Sequence, residues 1–245
     1  MQFKLVTYID RVNYISDTFI SYYKKIFSPD EFIFMVTDVN YPKIREYLDA
    51  NGLENAHIRG LKKRETFGFG ENVHNQNAIV NSLVENGFTV LYADIDEFIY
   101  HPNLKEYIEN KPEKIIAAKG MLVFQHPSEP YLDPTKKVFE QRNYCKFNDH
   151  FFSKVCILKE PFEWTAGRHN RPNDKVIDRN IYLIDIGKIC KNLIIQNNEI
   201  NKEMYKNIYW RYAANNIDKI LGEWDGLLGP GFAPIPQELK DLCPF

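Results

Sequence analysis

Asp94, Ile95, Asp96 and Glu97 place three carboxylates directly behind the apolar run from Phe88 to Ala93. Carboxylates at positions i and i+2 at the end of a buried strand can turn toward one mouth of a sheet and share a divalent cation. Hard cations such as Mn2+ and Mg2+ prefer oxygen ligands, and when held by one or two carboxylates they keep positions open for two phosphate oxygens of a nucleoside diphosphate. A cation placed there neutralises charge on a departing diphosphate while the carbon it leaves is attacked. A D-x-D triplet alone is weak evidence, because about one is expected by chance in a chain of this length. In the competing reading Asp94 caps the following loop, and Asp96 or Glu97 pairs with a nearby base. Position at a strand end favours the metal and diphosphate reading for Asp94 and Asp96. Strand alternation would turn Glu97 to the other side, as a supporting residue.

A second cluster spans Phe162 to Asn170 and contains Glu163, Trp164, Gly167, Arg168 and His169. A tight loop at Gly167 would let the His169 imidazole complete a metal shell and the Arg168 guanidinium face phosphate. An ordinary surface histidine beside an arginine is the alternative. Trp164 has two readings, an acceptor platform or a core residue. Between the clusters, Asp149 and His150 precede the strand-like run from Ser153 to Leu158. Deprotonating an acceptor hydroxyl needs a general base, for which Asp149 is the first candidate and Glu163 the second. A loop-capping role explains Asp149 equally well, and Lys154 is either a phosphate ligand or a solvated strand residue.

The first hundred residues alternate between the two periodicities. Strand-like runs cover Phe3 to Ile9, Glu31 to Thr37, Ala56 to Arg59 and Phe88 to Ala93; helical patterns cover Val12 to Phe27, a segment closing at Leu48, and Asn72 to Asn86. Gly87 is placed to end the third helix as its C-cap. Strands separated by helices predict a mainly parallel sheet whose ligands sit beyond the carboxyl ends of the strands. Thr7 and Tyr8, Asp38, and Asp94 to Asp96 all fall at such ends. Farther on, short strands at Lys114 to Ala118, Met121 to Gln125, Ser153 to Leu158 and Asn180 to Asp185 predict a mixed or antiparallel half. A helix is expected over 202–221, and the Gly- and Pro-rich tail from Gly222 is expected to pack irregularly. No linker or repeat divides the 245 residues, so one domain is expected.

Composition removes several classes. A formal net charge of −2, with Lys and Arg scattered, argues against nucleic acid as the main partner. The four cysteines form no C-x-x-C pair, which removes zinc-ribbon and thioredoxin readings and fits reduced thiols in the cytoplasm. No run approaches the roughly 20 apolar residues of a spanning helix. Gly68 and Gly70 lack the strand and third glycine of a dinucleotide fingerprint, and P-loop, G-x-S-x-G and H-E-x-x-H signatures are absent.

The segment from Tyr92 to Phe98, the run from His150 to Lys154 and the stretch from Trp164 to His169 together resemble the small glycosyltransferases of GT-A fold related to family 2. Among these they are similar to the capsid-glycosylating transferase domain of chlorella-type viruses. The resemblance runs from the first strand to about Asp185. It implies an α/β GT-A fold: a Rossmann-like nucleotide-binding half over 1–100 with a central, mostly parallel sheet, then a mixed acceptor half over 101–245. It also implies a nucleotide-sugar donor, usually UDP-linked, a glycan or glycoprotein acceptor, and Mn2+ or Mg2+ at Asp94, Asp96 and His169. Thr7, Tyr8 and Asp38 would lie near base and ribose, and Arg64, Gln76, Tyr92, Asp94 and Arg168 near the diphosphate or sugar. The acidic cluster alone leaves open a nucleotidyltransferase or phosphohydrolase, and the aromatic content leaves open a non-catalytic carbohydrate-binding protein.

Overall fold

The computed structural model describes residues 1–9, 11–61, 69–148, 152–164, 177–190 and 228–242. Strand β1 (Gln2–Tyr8) is central, with β2 (Phe32–Thr37) on one side and β4 (Phe88–Tyr92) on the other. Beyond β2 lies β3 (His57–Leu61), so the spatial order β3-β2-β1-β4 is parallel throughout. Helices α1 (Tyr14–Tyr23), α2 (Tyr41–Ala50) and α3 (Phe69–Glu85) make the crossovers. The Rossmann-like half is therefore as expected, and so is the Gly87 cap, which closes α3 at φ +85° with its N–H donated to the Val84 carbonyl at 2.9 Å.

The second half is mixed. After β5 (Glu97–Tyr100) and α4 (Leu104–Glu109) comes β6 (Ile115–Phe124), which runs parallel to β9 (Ile177–Lys188) and antiparallel to β7 (Tyr144–Phe147) and β8 (Val155–Leu158). Helix α5 (Val138–Gln141) precedes β7. β8 joins the two halves by pairing antiparallel with β4, and β9 also takes β5 on its far edge. This is the arrangement that the GT-A expectation describes.

Several boundaries depart from the sequence reading. The two strands expected around Lys119 and Gly120 are one continuous β6. Gly120 is there for close approach, since a Cβ at this position would lie 2.0 Å from the Phe152 carbonyl carbon. Helix α1 stops at Tyr23, short of Phe27. Strands β5 and β7 were not expected. Within the tail expected to be irregular, β10 (Phe232–Pro234) pairs with β7, and α6 (Gln237–Leu242) follows. The helix expected over 202–221 lies outside the described residues.

Alternation along each strand divides the interior into two faces. On one, Phe3, Leu5, Leu91 and Ile157 pack with Phe19 and Tyr23 of α1 and Ile44 and Leu48 of α2. On the other, Val6, Val90, Tyr92 and Val155 pack with Val73, Val80 and Val84 of α3. Asn13 starts α1 with a capping box: its Oδ1 accepts from the Ile15 and Ser16 N–H groups, and the Ser16 hydroxyl accepts from the Asn13 N–H. From α1 the Tyr22 hydroxyl donates to the Ile99 carbonyl at 2.8 Å, and the Tyr23 hydroxyl accepts from the Ile99 N–H at 2.8 Å. These bonds fix β5, and with it the loop that carries the acidic cluster.

Candidate functional site

The turn between β4 and β5 is closed by its own ends. The Glu97 N–H donates to the Asp94 carbonyl at 2.9 Å, and the Asp94 N–H donates back to Glu97 Oε2 at 3.1 Å. The Ala93 N–H is held by the Val6 carbonyl of β1, while the Asp96 carbonyl accepts from the Ile186 N–H of β9 at 2.8 Å. Asp94 and Asp96 are thus positioned by the carboxyl-end region of the parallel sheet and by β9 together.

Strand β9 brings in a fourth carboxylate. Asp185 pairs opposite Glu97, and its Oδ1 accepts from the Gly187 N–H at 2.7 Å. Gly187 leaves room for the group: a Cβ there would lie 2.6 Å from Asp96 Oδ2 and 3.1 Å from Asp185 Oδ1. Against these four carboxylates stands Lys154, whose ammonium pairs with Glu97 Oε1 and lies 3.9 Å from Asp94 Oδ2.

The carboxylates raise one another. Burial, then Asp185, Asp94 and Glu97, hold the Asp96 carboxyl well above the usual range, with Lys154 pulling the other way. Burial and then Glu97 push Asp185 up to about 6, against Lys154 and the Gly187 N–H. Such a cluster is short of positive charge. Asp94 keeps a quarter of its side chain exposed. Among the described residues no group of three or more His, Cys, Asp and Glu side chains is arranged to hold a metal ion. By chemistry alone, carboxylate oxygens such as those of Asp94 and Asp96 would suit a hard cation rather than a soft one.

The other candidate residues fall on several separate elements. Tyr8 ends β1, half-buried against the α3-side core. Thr7 faces the opposite side of β1, fully enclosed, with a hydroxyl that has no hydrogen-bond partner among the described residues. Asp38 opens the short 3-10 turn after β2. Gln76 on α3 is buried, and its Oε1 has no partner among the described residues. Tyr92 is buried with its ring 5.3 Å from that of Trp164. Arg64, Asp149, Arg168 and His169 lie outside the described residues.

The segment after β8 runs along α3: Asn81 Oδ1 accepts from the Phe162 N–H, and Asn77 Oδ1 from the Trp164 N–H. Glu163 is exposed between them. Trp164 is a core residue, 3% exposed, with its indole N–H donated to the Val155 carbonyl at 3.1 Å. The platform reading does not hold for it.

Asp185 and Gly187 are not among the residues expected at the site. Their signal was present as a lone carboxylate inside the apolar run Ile181 to Ile186, followed by a glycine where a strand gains nothing from one. Glu97 does not turn to the other side as strand alternation predicts, but folds back toward Asp94. The chain breaks at the turn and Glu97 starts a new strand, so alternation carried over from β4 does not apply. Lys154 is mostly enclosed and paired with Glu97, so it is not a solvated strand residue.

No protein-family model matches the sequence, and no curated protein matches it. Among solved structures, the chain resembles a crystal structure of S. aureus TarS 1-349 at 13% identity and a TM-score of 0.34, covering 89% of this chain and 69% of that one. A longer TarS structure is 14% identical with a TM-score of 0.37, and this chain spans 43% of its length. HddC from Yersinia pseudotuberculosis is 12% identical at a TM-score of 0.38, with coverage of 79% of this chain and 97% of that one. Likeness at this level leaves the chemistry to the chain's own residues.

Proposed function

We propose that this chain is a glycosyltransferase that moves a sugar from a nucleoside diphosphate sugar, UDP-linked in the simplest case, to a hydroxyl of a glycan or glycoprotein. The observation that carries the reading is the excess of carboxylates over ammonium at Asp94, Asp96, Glu97, Asp185 and Lys154, at the carboxyl-end side of a parallel nucleotide-binding type of sheet. Asp94 and Asp96 would hold Mn2+ or Mg2+, with His169 as a third ligand. Bound there, the cation supplies charge neutralisation for the departing diphosphate. Lys154 and Glu97 brace the loop that carries the two aspartates.

Tyr8 and Asp38, at the ends of β1 and β2, frame the space for base and ribose, with Thr7 enclosed behind them. Gln76 and Tyr92, with Arg64 and Arg168, are assigned to the diphosphate and sugar. The acceptor proton goes to Asp149, with Glu163 as the alternative, and the sugar inverts at its anomeric carbon without a covalent intermediate.

The test combines binding with product analysis. Mn2+-dependent stabilisation by UDP-sugars is expected for the native chain and not for Asp96→Asn. The nucleotide released in turnover is expected to be a nucleoside diphosphate. Pyrophosphate release would show nucleotidyl transfer, and nucleotide binding indifferent to Asp96→Asn would remove the metal assignment.

A further inference from the structure

Backbone bonds independent of its charge fix where Lys154 starts. Its carbonyl accepts from the Ala118 N–H at 3.1 Å, and the hydroxyl of neighbouring Ser153 accepts from the Gly120 N–H at 2.9 Å. The segment entering β8 is thereby tied to β6 at two points. From there the Lys154 side chain, 14% exposed, carries its ammonium into the acidic turn after β4.

The contacts in that turn are graded. Glu97 uses both oxygens: Oε1 takes the Lys154 ammonium, and Oε2 accepts from the Asp94 N–H at 3.1 Å. Asp94 Oδ2 stands 3.9 Å from the same ammonium, within ion-pair reach but beyond hydrogen-bond length. Glu97, 4% exposed, is the firm partner, and Asp94, 25% exposed, is the loose one. With little solvent between them, an enclosed ammonium attracts a carboxylate, and repels a second cation, more strongly than it would in open water. At this separation its charge acts directly on whatever else Asp94 binds.

Four carboxylates meet here, yet among the described residues no three acidic, His or Cys side chains are arranged to hold a metal ion. The point that oxygens of both Asp94 and Glu97 approach within 4.0 Å is held by the Lys154 ammonium.

We infer that Lys154 is the resident cation of the acidic turn and competes with a divalent cation for Asp94. It balances the turn's charge without metal, and a metal gains Asp94 only by drawing it away from the ammonium, while Lys154 stays with Glu97. Metal affinity is thereby held down by a side chain that is not itself a ligand. This inference rests on the assignment of the cation to Asp94 and Asp96, and names what sets its strength.

The test measures Mn2+ alone on the full chain, stripped with EDTA and dialysed, from the electron paramagnetic resonance of free Mn2+. Lys154→Met keeps the stem without the charge and should bind Mn2+ about tenfold or more tightly than the native chain. Lys154→Arg keeps the charge and should stay within about threefold of it. If Lys154 only braced the turn, its removal would weaken metal binding, so the two roles differ in sign. Because Lys154→Met leaves Glu97 without its ammonium, the comparison is repeated on Glu97→Gln, whose amide oxygen can still accept from the Asp94 N–H. There too, adding Lys154→Met should tighten binding about tenfold or more. Mn2+ binding unchanged or weakened by loss of Lys154 in these backgrounds would overturn the competition; if Asp96→Asn still abolished native binding, the metal assignment would stand without it. Mn2+ bound by Lys154→Met but not by the native chain would support competition in its strongest form. Absence of Mn2+ binding from every one of these chains would overturn the competition and the metal assignment together.

Discussion

Replacing Gly187 with alanine tests the carboxylate cluster through a residue that is itself no ligand. The added Cβ would lie 2.6 Å from Asp96 Oδ2, where ordinary contact begins near 3.4 Å, so the carboxylate must retreat by about 0.8 Å. Backbone strain is not at issue, because Gly187 is not among the glycines with positive φ. An alanine within a strand instead recovers about 0.5–1 kcal/mol of the entropy that glycine loses on folding. The ligand-free protein should therefore stay within about 1 kcal/mol of the native chain. Metal-dependent nucleotide binding should not, since disturbing a group that orients a ligand typically costs 10–100-fold in affinity. With Mn2+ present and UDP at 100 times its Kd, binding stabilises the native chain by about 2.7 kcal/mol; thirtyfold weaker binding leaves about 0.9 kcal/mol. For a chain of this size the difference makes the UDP-induced rise in melting temperature about 4–7 °C smaller. Thermal shift with and without UDP measures it directly. An unchanged UDP-induced shift in Gly187→Ala would refute the placement of Asp96 at the nucleotide site.

Three further outcomes follow from the same geometry. The raised carboxyl of Asp185 means that the native state holds a proton the unfolded chain has released, so its contribution is full below about pH 4 and is lost as pH rises through about 6. Asp96 acts in the same sense. In EDTA the urea midpoint should rise from pH 7 to pH 5, and Asp185→Asn should reduce that slope; a native midpoint that falls over this interval counts against the crowding. Asp96→Asn should leave the metal-free protein at least as stable as the native chain at pH 7, because it removes a charge that burial and three other carboxylates oppose; a lower urea midpoint would show that the charge is compensated. Lys154→Met leaves Glu97 buried without its ammonium, since Glu97 is 4% exposed, and should cost about 3 kcal/mol in denaturant unfolding. Adding Glu97→Gln should restore more than half of that loss, and simple additivity of the two substitutions would show that the pair does not couple.

The legible part of the fold is the part that local chemistry determines. Strands β2 and β4 read as nearly continuous apolar runs because helices cover both their faces, and Gly87 marks the end of α3 because its φ of +85° favours glycine. Asp94 and Asp96 follow from that reading, being the first polar residues after a strand whose direction is known. Asp185 does not follow. Its carboxylate joins the cluster only through the pairing of β9 with β5, and that pairing depends on the four-residue β5 being a strand at all. Glycines mislead in the same way: Gly120 reads as a break between two strands, yet it lies inside one, its missing side chain making room for the backbone at Phe152. Periodicity reports which side of a chain faces the interior but not which other chain lies there. A site at the end of a parallel strand is therefore half visible in sequence. The near carboxylates, Asp94 and Asp96, come from one turn, whereas Asp185 and Gly187 come from β9 and Lys154 from the segment leading into β8, elements whose neighbours only the folded sheet identifies.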